Sequence, residues 1–204
     1  MEIIHDIVYN LLFILGPGLR ETFIFLLGYV EGLPVLGSFV PGGTIAILIG
    51  SLSVEGYVNQ VLAVNLIAIG SFLGDMTGFF FGNKIQNWKF VKRFVKNDEP
   101  SKAWDLFDRH IAFVIIFGKL LPVVRSTPAL FAGARNIKPG KYAIYAFIAS
   151  YVWAIFGIYF GSLLAEWLGD QAIPVIIFTV IGILITTWLF NKFQKIRKSK
   201  RHLN

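Results

Sequence analysis

Four ionisable side chains stand inside apolar sequence: Glu31, Asp75, Lys119 and Arg125. The two bases fall in residues 110–134, HIAFVIIFGKLLPVVRSTPALFAGA, a stretch that also holds Pro122 and Pro128. A charged side chain at membrane depth costs about 2.5–3.5 kcal/mol on insertion scales. Proline frees a backbone carbonyl that hydrocarbon cannot satisfy. Both are tolerated together where the backbone is broken and faces protein or a watered cavity. A guanidinium at such a break suits a phosphate group, through paired hydrogen bonds strengthened by low dielectric. Lys119 could share that phosphate, or its amine could reach back to the interface. Glu31 and Asp75 could carry protons, or serve as internal partners of the bases. Whether desolvation or a nearby cation governs their ionisation is open at this level.

This is chemistry of capture and release rather than bond-making. The sequence has no G-x-S-x-G, no H-E-x-x-H and no clustered histidines, so no nucleophile and base are expected within reach of each other. The absence of cysteine excludes disulfides and thiolate catalysis. No catalytic residue, cofactor or metal is expected, and the protein is not expected to be an enzyme. His110, beside Arg109, reads as an interfacial polar contact.

The elements that must position these groups are membrane elements. Of 204 residues 55% are hydrophobic and 15% charged, which marks an integral membrane protein of all-α class. One domain is expected over residues 1–190, followed by a basic tail at 191–204. Residues 142–165 carry no formal charge and residues 174–190 form a shorter apolar run, both long enough to span. Residues 58–82 form a third span, interrupted by Asp75, which should face the bundle interior. The tail, with six bases and no acid, is placed in the cytoplasm by the positive-inside bias. The loops at 135–141 and 83–109 are base-rich and return to that side, whereas those at 53–60 and 166–173 lack bases and lie outside.

Residues 110–134 therefore leave the cytoplasm and come back to it, as a re-entrant hairpin. Residues 31–52, with Pro34, Pro41, Gly42 and Gly43, read as a second and opposed hairpin entering from the outer face. The prolines break helices and the glycines permit tight turns or close backbone approach. The N-terminal helix lies along the outer face or forms a first span ending near Gly16 and Pro17. Residues 83–102 space Trp88, Phe90, Val91, Phe94 and Val95 at three- and four-residue intervals among Lys84, Lys89, Lys92, Arg93 and Lys96, as in an amphipathic helix on the cytoplasmic leaflet. The net charge of +7 flanks these segments, so a nucleic-acid partner is not expected.

Each half then has a segment with polar breaks, a broken hairpin and one span, and a single span per half inverts the second half relative to the first. The spans end alike, with Gly78-x-x-x-Gly82 in one and Gly157-x-x-x-Gly161 in the other. Such glycine pairs also serve simple close packing.

The ordered motifs resemble the DedA family of membrane proteins, also called SNARE-associated or VTT-domain proteins. They are Glu31 with LPVLGSFVPGG, then Gly74-Asp75-x-x-Gly78-x-x-x-Gly82, then Phe107-x-Arg109-His110 and Gly118-Lys119-x-x-Pro122-x-x-Arg125-x-x-x-Pro128 with Ala132-Gly133. The resemblance covers roughly residues 29–161. It implies two opposed re-entrant hairpins in a small helical bundle, and movement of lipids such as undecaprenyl phosphate or phospholipid across the bacterial cytoplasmic membrane, in several members with the proton gradient. Arg125 and Lys119 would bind the head group; Glu31 and Asp75 would couple protons. Two positions depart from members of the best-studied kind: Gly43 stands where they have an acid, and Lys119 where they have an arginine, keeping charge but losing the planar fork. The reading is a flippase or scramblase of a phosphate-bearing lipid, with membrane lipids and protons as partners and a homo-oligomer left open. A small-ion or proton channel and a non-transporting scaffold are the alternatives, ahead of a lipid phosphatase or transferase.

Overall fold

The computed structural model describes residues 16–34, 36–39, 42–86, 109–120, 125, 127–169 and 175. Pro41 and Pro122 lie outside the described residues. So do the N-terminal helix before residue 16, the amphipathic segment beyond residue 86, the 174–190 span apart from Val175, and the basic tail. Among the described residues all regular structure is helical: α1 (Leu19–Gly32), α2 (Leu36–Phe39), α3 (Gly42–Val54), α4 (Gln60–Ile85), α5 (Ile111–Leu120), α6 (Thr127–Ala134) and α7 (Pro139–Leu168).

α4 and α7 are long and apolar enough to cross a membrane. At 1.5 Å per residue they reach about 39 and 45 Å, against a hydrocarbon core of about 30 Å. α7 extends past the apolar run at 142–165 at both ends, whereas α4 starts inside the run at 58–82 and extends past its far end. The Asn59 side chain accepts from the Leu62 N–H to cap α4, and Pro139 opens α7, where its missing N–H is harmless. The remaining helices are shorter: α3 has 13 residues, α5 10 and α6 eight, or about 20, 15 and 12 Å. Large apolar side chains point away from the bundle, among them Val61, Phe80 and Phe81 on α4 and Ile144, Phe156 and Trp167 on α7. A surface of this kind is matched to lipid rather than to water.

α4 and α7 are antiparallel. Gln60 Nε2 donates to Ser162 Oγ at 2.8 Å and Tyr151 Oη to Asn65 Oδ1 at 2.9 Å. Farther along, Phe79 stacks on Tyr142 with ring centroids 4.6 Å apart. The start of α4 and the end of α7 thus share one end of the bundle. At the other end, Asn136 adopts φ 55°, a left-handed turn that asparagine accepts readily. Its side chain accepts from Asn83 at 2.7 Å and donates to Gln86, tying the α6–α7 turn to the end of α4. This end carries Lys84, Arg135, Lys138 and Lys141, whereas the first carries Glu21, Glu55 and Glu166 with Arg20.

Backbone contact through glycine holds the helices together. α1 lies parallel to α4, and their glycines mesh. A Cβ at Gly28 or Gly32 would strike the Ile67 or Ser71 carbonyl, and one at Gly70 or Gly74 would strike the Phe25 or Tyr29 carbonyl. Two further seams are copies of each other. Where α6 meets α4, Gly82 abuts the Leu130 carbonyl and Gly133 the Phe79 carbonyl; where α3 meets α7, Gly161 abuts the Ile47 carbonyl and Gly50 the Ile158 carbonyl. In both seams the two partners on each helix are three residues apart. Gly78 likewise faces Ala129 Cβ as Gly157 faces Ala46 Cβ. Small residues allow such approach, and dispersion between packed backbones is a main source of helix association in lipid.

Two apolar clusters lie in series along the bundle. One joins Ile24, Ala46, Ile49, Val64, Ile67, Trp153 and Ile158; the other joins Phe79, Ile111, Ile115, Ala129, Ala132, Tyr142 and Ala146. The polar layer lies between them.

Candidate functional site

α1 ends because Pro34 follows. Leu33, the residue before the proline, is extended at φ −67° and ψ 135°, as the proline ring requires. This break leaves Glu31 in the last turn of α1 with its carboxylate turned inward. The chain then folds back over it. Gly37 in α2 lies against the Glu31 carbonyl, and Gly42, the first residue of α3, lies against the Glu31 carboxyl group; a Cβ at either position would overlap Glu31 atoms. Gly42 therefore makes the close approach expected of the glycine pair. Gly43 does not: a Cβ there would meet nothing within 4 Å.

Arg125 lies between α5 and α6. Its Nη1 is 2.7 Å from Glu31 Oε1, and its Nη2 donates to the Gly37 carbonyl. The planar fork is thus shared between a carboxylate and a main-chain oxygen, both at a break in the helical path. Lys119, in the last turn of α5, pairs through Nζ with Asp75 Oδ2 in the middle of α4. Ser150 Oγ of α7 lies 3.4 Å from the same oxygen, as a weak donor. All four charged groups are buried, at 3% exposure for Glu31, 4% for Asp75 and Lys119 and 9% for Arg125.

The structure therefore brings together the four residues singled out by chemistry, and it settles their partners. Arg125 meets Glu31, not Asp75. Lys119 does not reach back to an interface but is buried against Asp75. Two acids and two bases cancel, so the layer is formally neutral when all four are ionised. Removing one member of such a buried pair commonly costs about 3–5 kcal/mol, because its partner is left charged and unpaired. Pro34 and Pro128 both sit at the edges of this layer: Pro34 touches Gly78, and a Cβ at Gly118 would meet Pro128 Cγ at 3.2 Å. His110 is exposed at the start of α5, away from the layer.

Sequence reasoning missed three contributors. The Gly37 carbonyl offers no side-chain signal at all. Ser150 had one, as a small polar residue inside an otherwise apolar run, a type that often bonds between membrane helices. Gly70 continues the four-residue spacing of Gly74, Gly78 and Gly82, and with Gly28 and Gly32 it foretells the α1–α4 seam.

Comparison with known proteins places this arrangement. The VTT domain model matches residues 40–163. The chain is 25% identical over 172 residues to the inner membrane protein YohD of Escherichia coli (strain K12), covering 79% of this chain and 89% of that protein. It is 24% identical over 170 residues to the inner membrane protein YghB of the same strain, covering 79% and 77%. It is 19% identical over 187 residues to the inner membrane protein YqjA, covering 84% and 85%. No solved structure matches it significantly.

Proposed function

The chain belongs to the VTT-domain, or DedA, family of membrane proteins, and from that premise we propose that it moves a phosphate-bearing lipid across the bacterial cytoplasmic membrane. The observation that carries this reading is the Arg125 guanidinium, buried at a helix break and held by Glu31 and the Gly37 carbonyl. A fork already satisfied by a carboxylate and a carbonyl oxygen has the geometry to accept two phosphate oxygens in their place.

In this proposal the hairpin read at 31–52 begins earlier, with α1 as its entering limb and α3 as its returning limb, α5 with α6 form the other, and the two enter from opposite faces. The short α3, α5 and α6 support it, since none is long enough to cross alone. The matched seams, α6 on α4 and α3 on α7, support an inverted repeat in which α3 corresponds to α6 and α4 to α7. The base-rich end of the bundle supports a cytoplasmic side at Lys84 and Lys138.

Transport then proceeds by exchange of partners. The lipid phosphate displaces Glu31 from Arg125. A proton taken up by Glu31 removes the charge that would otherwise be left unpaired in a low dielectric. Asp75 and Lys119 hold the neighbouring charge balance and offer a second proton site. The lipid's tails stay in the bilayer while its head crosses between the two apolar clusters. No bond is made or broken.

Reconstitution tests this. Arg125→Ala in proteoliposomes should abolish translocation of a labelled phosphate-bearing lipid head. The Glu31→Gln, Arg125→Gln variant, which leaves no unpaired charge, should recover thermal stability but not transport. Translocation by that folded variant at the unmodified rate would remove Arg125 from the site.

A further inference from the structure

The glycine seams divide the bundle in a way the chain order does not. α4 is in backbone contact with α1 through Gly28, Gly32, Gly70 and Gly74, and with α6 through Gly82 and Gly133. α7 is in backbone contact with α3 through Gly50 and Gly161. Sliding or parting these helices would lose close backbone packing along the whole seam. Between α4 and α7, by contrast, side chains meet: Gln60 with Ser162, Asn65 with Tyr151, Phe72 with Phe147, Asp75 with Ser150 and Phe79 with Tyr142. Side-chain contacts of this kind can re-form in a second arrangement, as packed helices do in shear motions.

The charged groups fall unevenly across this division. Glu31 and Asp75 are carried by α1 and α4, Arg125 immediately precedes α6, and Lys119 is carried by α5, which packs chiefly on α7, so that the Lys119–Asp75 pair bridges the division. α3 brings only Gly42, laid against the Glu31 carboxyl group, and α7 only the Ser150 hydroxyl. We propose that the protein moves as two units that cut across its two sequence halves: an α1–α4–α6 unit that keeps the Glu31–Arg125 pair intact, and an α3–α7 unit that covers it. Displacement of the cover lifts Gly42 off Glu31 and opens the pair to a ligand without separating the residues that bind it. This inference takes its purpose from the transport reading, but its geometry stands without it.

The chain lacks cysteine, so spin labels can be placed at will on exposed positions. Leu26 with Leu73 reports within the first unit, Val54 with Leu163 within the second, and Leu26 with Phe156 and Phe80 with Ile144 between them. The protein would be measured in nanodiscs by electron–electron distance spectroscopy, with and without phosphatidic acid and at two pH values. Each within-unit pair should give one narrow distance that does not change. The between-unit pairs should give two populations, or one that shifts with lipid or pH. Gly42→Ala, whose added methyl would press on Glu31, should favour the wider population. Between-unit movement in a protein that transports nothing would count against the transport reading alone. A fixed distance between the units under every condition, or broadening within either unit, overturns the two-unit inference.

Discussion

The two halves of this molecule agree in packing and disagree in charge. α3 docks on α7 as α6 docks on α4, with glycine against carbonyl at corresponding positions in both seams. Yet among the described residues both buried acids, Glu31 and Asp75, come from the first half, and both buried bases, Lys119 and Arg125, from the second. Either half alone would bury two like charges, which the low dielectric makes prohibitive. The packing pattern is thus repeated, while the ionisable chemistry is complementary and exists only when the halves meet.

The largest effect should come from breaking that complementarity. Arg125→Ala leaves Glu31 buried and unpaired and should destabilise the protein by about 3–5 kcal/mol, read as a lowered Tm in detergent, with transport lost. Reversal of both partners, Glu31→Arg with Arg125→Glu, sharpens the comparison. It preserves neutrality but puts the fork where Gly42 leaves little room, so part of the stability should return while transport stays lost.

The seams come next. Gly133→Ala and Gly50→Ala each direct a methyl group at a backbone carbonyl, of Phe79 and Ile158 respectively. Overpacking of this kind costs about 1–3 kcal/mol, and the two losses should be similar because the seams correspond. A Tm loss confined to one of them would break the equivalence. Lys119→Arg should be milder. It keeps the charge opposite Asp75 and adds a planar fork, so folding should persist, with any change appearing in lipid preference among phosphate heads. The smallest effect is expected for Gly43→Asp. The site is open around position 43, so Tm should be almost unchanged, and the added carboxyl should show itself only as an altered pH dependence of transport.

Much of this was legible beforehand. The apolar runs at 58–82 and 142–165 became α4 and α7 with ends displaced by a few residues, because hydropathy registers apolar composition while Asn59 and Pro139 set the helix starts. Pro34 ends α1 by a local steric rule that needs no tertiary information. The spacing of Gly78, Gly82, Gly157 and Gly161 marked close packing but not its partners, since a glycine's role depends on which backbone arrives opposite it.

What the sequence alone determined is the class of protein, the places where helices must break, and the four charges that apolar surroundings could not tolerate singly. Only the tertiary structure decided that Arg125 takes Glu31 and Lys119 takes Asp75. Either base could have satisfied either acid by charge alone. The choice rests on depth and register, fixed by glycine seams between helices far apart in the chain, because Coulomb attraction does not distinguish partners until packing has set their distances.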